Sequence, residues 1–360
     1  MIESLDSKSL MPIDANDKKN YFQSVPLRKN STKRRMTMRS TLMTLLLCTG
    51  IAALCIAQPI LAADYPSRPI KMLTMVKPGA QIDLLTRKLA DVMSTELGQP
   101  VLVVNTPGGS HGSVMAMDLK NSKADGYTLG VGATAAYTYT PHFVKTKYKF
   151  GDFQFLSMLG LNQSGFVCTP NRGWKGLKDT FEWAKKENNG GFTYMFQGSD
   201  DRDVMKRIAA KEGVKLALMP SQGGPSIISA VMGGHAHVGH LGAILFGYVP
   251  EKLTLLAAST PTRLKDPKGR EALQDVPTVK EQGWDESVEM FVVLTAPKGL
   301  PGAVADKLEQ IMMKLSDDKA FREFVAIKLK MGPVDYGRDA AKKYMTGAYE
   351  KFGRQAKAGK

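Results

Sequence analysis

The sequence predicts an α/β protein built of two lobes, and three observations support this fold class. Short apolar runs typical of strands alternate with amphipathic helical patterns from Tyr65 onward. Residues 70–134 follow a strand–helix–strand–helix–strand order, and a second set of the same kind spans 192–259. Two extended segments, near 160–166 and 286–294, would join the sets. A chain of 360 residues with 43% hydrophobic content can bury two such cores.

The predicted elements define the lobe boundaries. In the first set, strands at 70–76, 101–105 and 127–134 enclose helices at 82–97 and 114–122, which indicates parallel pairing. The second set has strands at 192–198, 216–220 and 253–259, and 235–243 is predicted as a strand that runs into a loop. We expect residues 64–165 plus 290–360 to form the first lobe and 166–289 the second.

Residues 1–63 are expected to form an N-terminal extension and a signal peptide. A basic stretch precedes an apolar run at 41–57, and small residues around Ala62 and Ala63 suit a cleavage site. Met1, Met36 and Met38 are all possible starts. These features predict a secreted protein. Cleavage would leave Cys168 as the single cysteine, so no intramolecular disulfide is expected.

The net charge of +15 favours anionic partners, but Lys and Arg after position 64 are spread along helical patterns without a dense block. We therefore expect no nucleic-acid partner.

Six motifs occur in order along the chain: "YPSRPIKML" (65–73), "PGAQID" (78–83), "LGQPVLVVNTPGG" (97–109), "ADGYTLGVG" (124–132), "LQDVPTVKEQG" (273–283) and "VLTAPKGLP" (293–301). Together they resemble the periplasmic substrate-binding proteins of tripartite tricarboxylate transporters, the Bug family. The resemblance implies a bilobal periplasmic-binding-protein fold (Venus flytrap, type II-like) with two parallel-rich sheets. It also implies a monomer, without cofactor or catalytic activity. Such a protein captures a small carboxylate (an organic acid, an aromatic carboxylate or an acidic amino acid-like compound) for membrane permease subunits or for sensing.

The first-lobe turn is a candidate carboxylate site. Gly79 lets the backbone approach a ligand, and the following helix N-terminus favours an anion. Ala80 stands where the family usually has a second glycine. Asp83 is either a helix cap or a polar contact to the ligand.

The remaining candidate positions come from four other segments. They are Thr134, Ala135 and Tyr137 in the predicted loop "GATAAYTYTP" (132–141), Gln163 in the first crossing, Gly198, Ser199 and Asp200 in "QGSDDRD", and Gly223 and Gly224 in "PSQGGPS". Tyr137 could donate a hydrogen bond or stack on an aromatic ligand. Asp200 is either a helix-start residue or a cleft residue that would repel a second carboxylate and favour an ammonium or hydroxyl group.

Two alternatives belong to other functional classes. A zinc-binding solute receptor would use His235, His237 and His240, but alternation along a strand places the first two on one face and the third on the other. A secreted hydrolase would need a nucleophile motif, and "GSHGS" has His111 where the nucleophile would stand. We expect neither a metal site nor a catalytic site.

Overall fold

The computed structural model describes residues 65–358. The predicted signal peptide and start positions lie outside the described residues. Within these residues two separate β-sheets form, each with helices packed on its faces. We call the six-stranded sheet with its helices the first lobe and the five-stranded sheet with its helices the second lobe. The exact lobe boundaries stay a prediction.

The first sheet contains the first and the last strand of the described chain. Its strands are Ile70–Thr74 (β1), Val101–Asn105 (β2), Thr128–Ala133 (β3), Phe153–Asn162 (β4), Phe291–Pro297 (β10) and Met331–Gly332 (β11). The order across the sheet is β11-β4-β10-β3-β1-β2. β1 pairs in parallel with β2 and β3, whereas β10 runs antiparallel to β3 and β4.

The second sheet contains five strands. They are Gly165–Cys168 (β5), Gly191–Phe196 (β6), Lys215–Pro220 (β7), Val238–Leu241 (β8) and Thr254–Ala258 (β9), in the order β7-β6-β8-β5-β9. β6 pairs in parallel with β7 and β8, and β5 is antiparallel to β8 and β9. The α/β fold class is confirmed, and each sheet is mixed because strands that return from the other lobe enter antiparallel.

The helices cover both faces of the sheets. They are Gln81–Leu97 (α1), Ser113–Lys120 (α2), Ala135–Thr138 (α3), Thr140–Phe143 (α4), Leu177–Glu187 (α5), Ser199–Glu212 (α6), Gly224–Met232 (α7), Glu271–Gln274 (α8), Gly302–Asp317 (α9), Lys319–Glu323 (α10) and Arg338–Ala358 (α11). α1 shows why the pattern predicted helices: Leu85, Leu89 and Met93 recur at four-residue spacing and are fully buried. Gly98 ends this helix in the left-handed conformation.

Two local predictions were wrong. The segment "GATAAYTYTP" was expected to be a loop, but it forms the short helices α3 and α4, which bury Ala136 and Tyr137. The strand expected at 235–243 is limited to Val238–Leu241, so His235 and His237 precede it. Gly234, at a φ of 75°, turns the chain just before these residues, and this turn delays the strand.

The two lobes are joined by crossing segments that lie side by side. The first crossing is the junction between β4 and β5 at Gln163 and Ser164. The chain returns to the first lobe through 288–290, and the amide of Asn162 donates to the Met290 carbonyl at 2.9 Å. The amide of Ser259 donates to the Ser164 carbonyl at 3.0 Å, and the amide of Val288 to the Ser259 carbonyl at 2.7 Å. The crossings therefore form a hydrogen-bonded ribbon.

No helix within residues 65–358 combines the length and the apolar character that a membrane crossing needs.

Candidate ligand-binding site

A cavity of about 220 Å³ lies between the two lobes. Four of its lining segments follow the carboxyl ends of β1, β2, β6 and β8, and two belong to the crossings. The lining residues are Gln81, His111, Asn162, Ser164, Gln197, Gly198, Asp200, Asp201, His240, Gly242, Ala243, Val288 and Met290. Ligands of α/β folds bind outside the carboxyl ends of the strands, so we take this cavity as the candidate site.

A larger groove of about 1100 Å³ lies elsewhere, between the 313–336 segment and Lys265, Asp266, Pro267 and Gln274. It is open, and the loops that follow the parallel strands do not line it. We therefore do not treat it as the ligand site.

On the first-lobe side, the start of α1 borders the cavity through Gln81. The first backbone hydrogen bond of this helix runs from the Leu84 amide to the Ala80 carbonyl at 3.0 Å. The amides of the preceding helical residues therefore lack intrahelical acceptors and carry partial positive charge. The Gln81 side chain donates to the Leu329 carbonyl at 2.5 Å, which fixes this helix start against the C-terminal part of the lobe.

The buried Asp83 side chain stabilises the Gly79 turn that precedes α1. Its carboxylate is buried and accepts hydrogen bonds from the Gly79 amide at 2.8 Å, the Asn105 side chain at 2.7 Å and Arg87 Nε at 3.0 Å. Burial alone would raise the pKa of Asp83, but these three donors outweigh it and hold the pKa below its usual value. Asp83 thus keeps the turn in shape and does not line the cavity.

On the second-lobe side, Asp201 fills the same structural role at the start of α6. Its buried carboxylate accepts from the amides of Gln197 at 3.0 Å and Gly198 at 2.6 Å, and from the Tyr194 hydroxyl at 2.6 Å. Burial raises the pKa of Asp201, and the nearby imidazole of His240 partly offsets this. The two helix starts that face the cavity are therefore both held by a buried aspartate.

Asp200 is half-buried and lines the cavity. A Cβ atom placed on Gly198 would lie 2.8 Å from Asp200 Oδ1, so this carboxylate lies directly over the Gly198 turn. Asp200 therefore lies on the cavity wall at the start of α6.

A buried hydrogen-bond chain runs behind the cavity wall. Ser164 Oγ lies 2.7 Å from Ser259 Oγ, and Ser259 Oγ lies 2.9 Å from His240 Nε2. His240 Nδ1 lies 3.6 Å from Asp201 Oδ2. The order of groups resembles that of a serine hydrolase, but Ser259 is 0% exposed and does not line the cavity. A substrate in the cavity could not reach its hydroxyl, so the chain is suited to hold the crossing and not to attack an ester.

The structure brings some of the predicted residues together and leaves others apart. Gly198 and Asp200 line the cavity, Ala135 and Asp200 border a separate pocket beside α11, and Gly224 lines an adjoining groove. Ser199 lies against the hydroxyl of Tyr139.

Ten of the twelve predicted residues do not line the cavity: Ala135, Ser199 and Gly224, and also Gly79, Ala80, Asp83, Thr134, Tyr137, Gln163 and Gly223. Tyr137 is fully buried and packs edge-on against Phe153 and Phe155, because α3 turns it into the core. Gln163 is also buried, and its side-chain amide bonds the backbone of Lys265 and Lys330. These contacts leave neither side chain available to a ligand.

Sequence reasoning missed several residues that line the cavity. Asn162 ends an apolar strand, and His240 is a polar residue within an apolar run; either could have signalled a site. Among residues 65–358, no group of three or more His, Cys, Asp or Glu is placed to hold a metal ion. His240 is buried in β8, while His237 lies outside that strand and accepts from the Thr193 amide at 3.0 Å.

The family follows from comparison with known proteins. A family model described as "Tripartite tricarboxylate transporter family receptor" matches residues 85–358. The chain belongs to this receptor family. A UPF0065 protein of Cupriavidus necator, from the gbd 5′ region, is 30% identical over 276 residues, which is 76% of this chain and 81% of the relative. The protein BugT of Bordetella pertussis is 27% identical over 77% of this chain and 85% of its own length.

Solved structures agree with this assignment of the receptor. A TctC solute-binding protein from Polaromonas, without ligand, superposes with a TM-score of 0.68 at 26% identity, covering 80% of this chain and 98% of its own. The periplasmic binding protein BugD has the same fold, with a TM-score of 0.63 at 20% identity over 82% of this chain and 98% of its own. The receptor is thus a transporter-type solute-binding protein with a bilobal fold.

Proposed function

We propose that this receptor captures a small carboxylate in the 220 Å³ cavity between its lobes. The observation that carries the proposal is the position of the α1 start, which borders the cavity through Gln81 with its first amides free of intrahelical acceptors. A carboxylate at such a helix start accepts several N–H groups and meets positive partial charge.

Two lysines near Gln81 support a ligand carboxylate at the start of α1. An adjoining groove shares Gln81, Gln197, Gly242 and Ala243 with the cavity and is also lined by Lys328 and Lys330. Neither lysine forms a hydrogen bond or ion pair through its ammonium group within residues 65–358. A ligand carboxylate near Gln81 would therefore be attracted by both ammonium groups.

We further propose that the chain is exported through its N-terminal segment, acts in the periplasm, and hands its ligand to membrane permease subunits. The name of the receptor family supports this role. The protein has no catalytic step in this proposal, and Ser259, which contacts His240, is buried.

The test is a binding measurement on the secreted chain with a cavity-filling variant. Malate and adipate are suitable first probes, since proteins of the same fold from Rhodopseudomonas palustris have been solved with these compounds. We expect calorimetric binding or a rise in melting temperature with at least one small carboxylate. Gly242→Leu should abolish binding, because Gly242 lines the cavity and the nearest atom to an added Cβ, Gln197 Oε1, lies 3.7 Å away.

Gly247→Leu is the matched control, since Gly247 follows in the same segment and an added Cβ would meet nothing within 4 Å. Absence of binding to every carboxylate tested, or equal binding by Gly242→Leu and the wild type, would reject the proposal.

A further inference from the structure

We infer that the ligand carries a carboxylate at one end and a cationic or hydrogen-bond-donating group at the other, and that Asp200 selects the second group. The inference rests on the proposed carboxylate site at the start of α1. The new element is the chemical nature of the ligand group at the second-lobe wall, which the family assignment does not state.

The second-lobe wall already contains two carboxylates where an anion would otherwise bind. Asp201 uses the amides of Gln197 and Gly198, and Asp200 lies over the Gly198 turn. A second ligand carboxylate at the start of α6 would find the Gln197 and Gly198 amides occupied, and at the amides that follow it would approach Asp200 at short range. Like charges a few ångströms apart in a partly desolvated cavity repel strongly.

The cations near this wall are already paired. Arg202 Nε contacts Asp203 at 2.8 Å, Arg207 forms a two-point contact with Glu286 at 2.8–3.0 Å, and Lys351 contacts Glu289 at 2.8 Å. None of the residues that line the cavity, all within 65–358, is Lys or Arg. No protein cation in this wall therefore compensates for a second ligand anion.

The Asp200 carboxylate lines the cavity as an acceptor without a donor. It forms no hydrogen bond or ion pair within the described residues. A ligand donor in this partly desolvated cavity would supply the missing hydrogen bond.

The cavity volume limits the size of the ligand. A space of about 220 Å³ lies below the roughly 300–1,000 Å³ of sites for drug-sized ligands. The two ends of a small ligand must therefore lie against opposite walls. A short monocarboxylate with a terminal ammonium, hydroxyl or amide group fits this pattern, with the carboxylate at Gln81 and the donor at Asp200.

Calorimetry with compounds of matched length tests the inference. Succinate, glutarate and adipate are compared with 3-aminopropanoate, 4-aminobutanoate and 5-aminopentanoate at pH 7 and constant ionic strength. We expect the best amino compound to bind about tenfold or more tightly than the dicarboxylate of equal length. Asp200→Asn should reduce this ratio about tenfold, because the amide keeps the shape of the side chain and removes its charge.

Two further variants support the assignment. Asp91→Asn on the exposed face of α1 is the control for net charge and should leave the ratio unchanged. Gly198→Ala should lower the ratio, because its Cβ would displace the Asp200 carboxylate while a φ of −148° accepts any side chain.

Each other outcome has a defined meaning. Tighter binding of the dicarboxylates would overturn the inference and leave the proposed function intact. A preference for amino compounds that survives Asp200→Asn would overturn the role of Asp200. Failure of every compound to bind, malate included, would overturn both proposals.

Discussion

The hydroxyl of Tyr139 donates to Asp203 Oδ2 at 3.0 Å, and this hydrogen bond joins the two lobes directly beside the cavity. Tyr139 lies between α3 and α4 of the first lobe, and Asp203 belongs to α6 of the second. The ring stacks on Phe143 and contacts His111, which itself lines the cavity. Burial raises the pKa of Tyr139 to about 12, so the hydroxyl remains a donor at neutral pH.

Removing this bond should loosen the contact between the lobes. Tyr139→Phe keeps the ring stacked on Phe143 and loses only the hydroxyl. A hydrogen bond to a charged group contributes roughly 1.5–3 kcal/mol, so we expect ligand affinity to fall up to about 100-fold. Small-angle scattering without ligand should show a larger radius of gyration.

Tyr148→Phe is the matched control, since the Tyr148 hydroxyl donates at 2.6 Å to the Ala136 carbonyl within the first lobe. It should reduce the free energy of unfolding without changing the radius of gyration. Equal scattering and affinity for Tyr139→Phe and the wild type would show that the bond does not control the lobes.

Asp83 should make the free energy of unfolding depend on pH. Its pKa lies below the usual value in the folded state, so its contribution is complete above the unfolded pKa of about 4 and is lost as the pH falls. Asp83→Asn should therefore lower the free energy of unfolding at pH 7 by roughly 1–3 kcal/mol. Urea denaturation should show the difference from wild type shrinking between pH 7 and pH 3. A difference that stays constant over this range would contradict the assignment.

The crossing ribbon should weaken when Gln163 is replaced. Its amide bonds the Lys265 carbonyl at 2.9 Å, the Lys330 carbonyl at 3.1 Å and the Lys265 amide. Gln163→Leu fills the space but leaves these partly buried backbone groups without partners, and we expect a loss of roughly 1–3 kcal/mol in the free energy of unfolding. Hydrogen exchange should accelerate at Lys265. Gln222→Leu, on an exposed loop, is the control; an equal effect there would contradict the prediction.

The buried Ser259 distinguishes a structural chain from a catalytic one. Ser259→Ala removes the partner of both Ser164 and His240, so we expect lower stability by roughly 1–3 kcal/mol. Hydrolysis of a small ester such as p-nitrophenyl acetate should be equal for the variant and the wild type. A loss of ester hydrolysis in Ser259→Ala would instead support the hydrolase alternative.

The sequence predicted most of the fold because the signals were local. Apolar residues at helical spacing and glycine stops indicated α1 within a residue of its observed start, and β2 was placed at 101–105 as observed. The short helices α3 and α4 were missed, because "TAAYTYT" has no helical amphipathicity and its burial depends on contacts with Phe153, Phe155 and α11. Those contacts come from distant parts of the chain.

The site was harder to predict than the fold. Glycine turns marked the loops that approach the cavity, and Gly198 with Asp200 was found in this way. The side chains that line the cavity depend on rotation about single bonds and on which neighbour satisfies each group. Asp83 and Asp201 are the clearest cases: each follows a glycine turn, and each turns inward to bond the amides of that turn. Gln81 and Asp200, beside these two aspartates, also line the cavity, whereas Asp83 does not.

The hydrogen-bonded ribbon at the crossings also limits how the chain can change in length. Asn162 bonds Met290 directly, and Ser259 bonds both Ser164 and Val288, so the two connections are in register with each other. One inserted residue in either connection would shift a sheet strand by one position and exchange its buried and exposed faces. Insertions near 163 or 289 should therefore be far less tolerated than insertions in the surface loops, and these two short segments should keep a fixed length among functional variants.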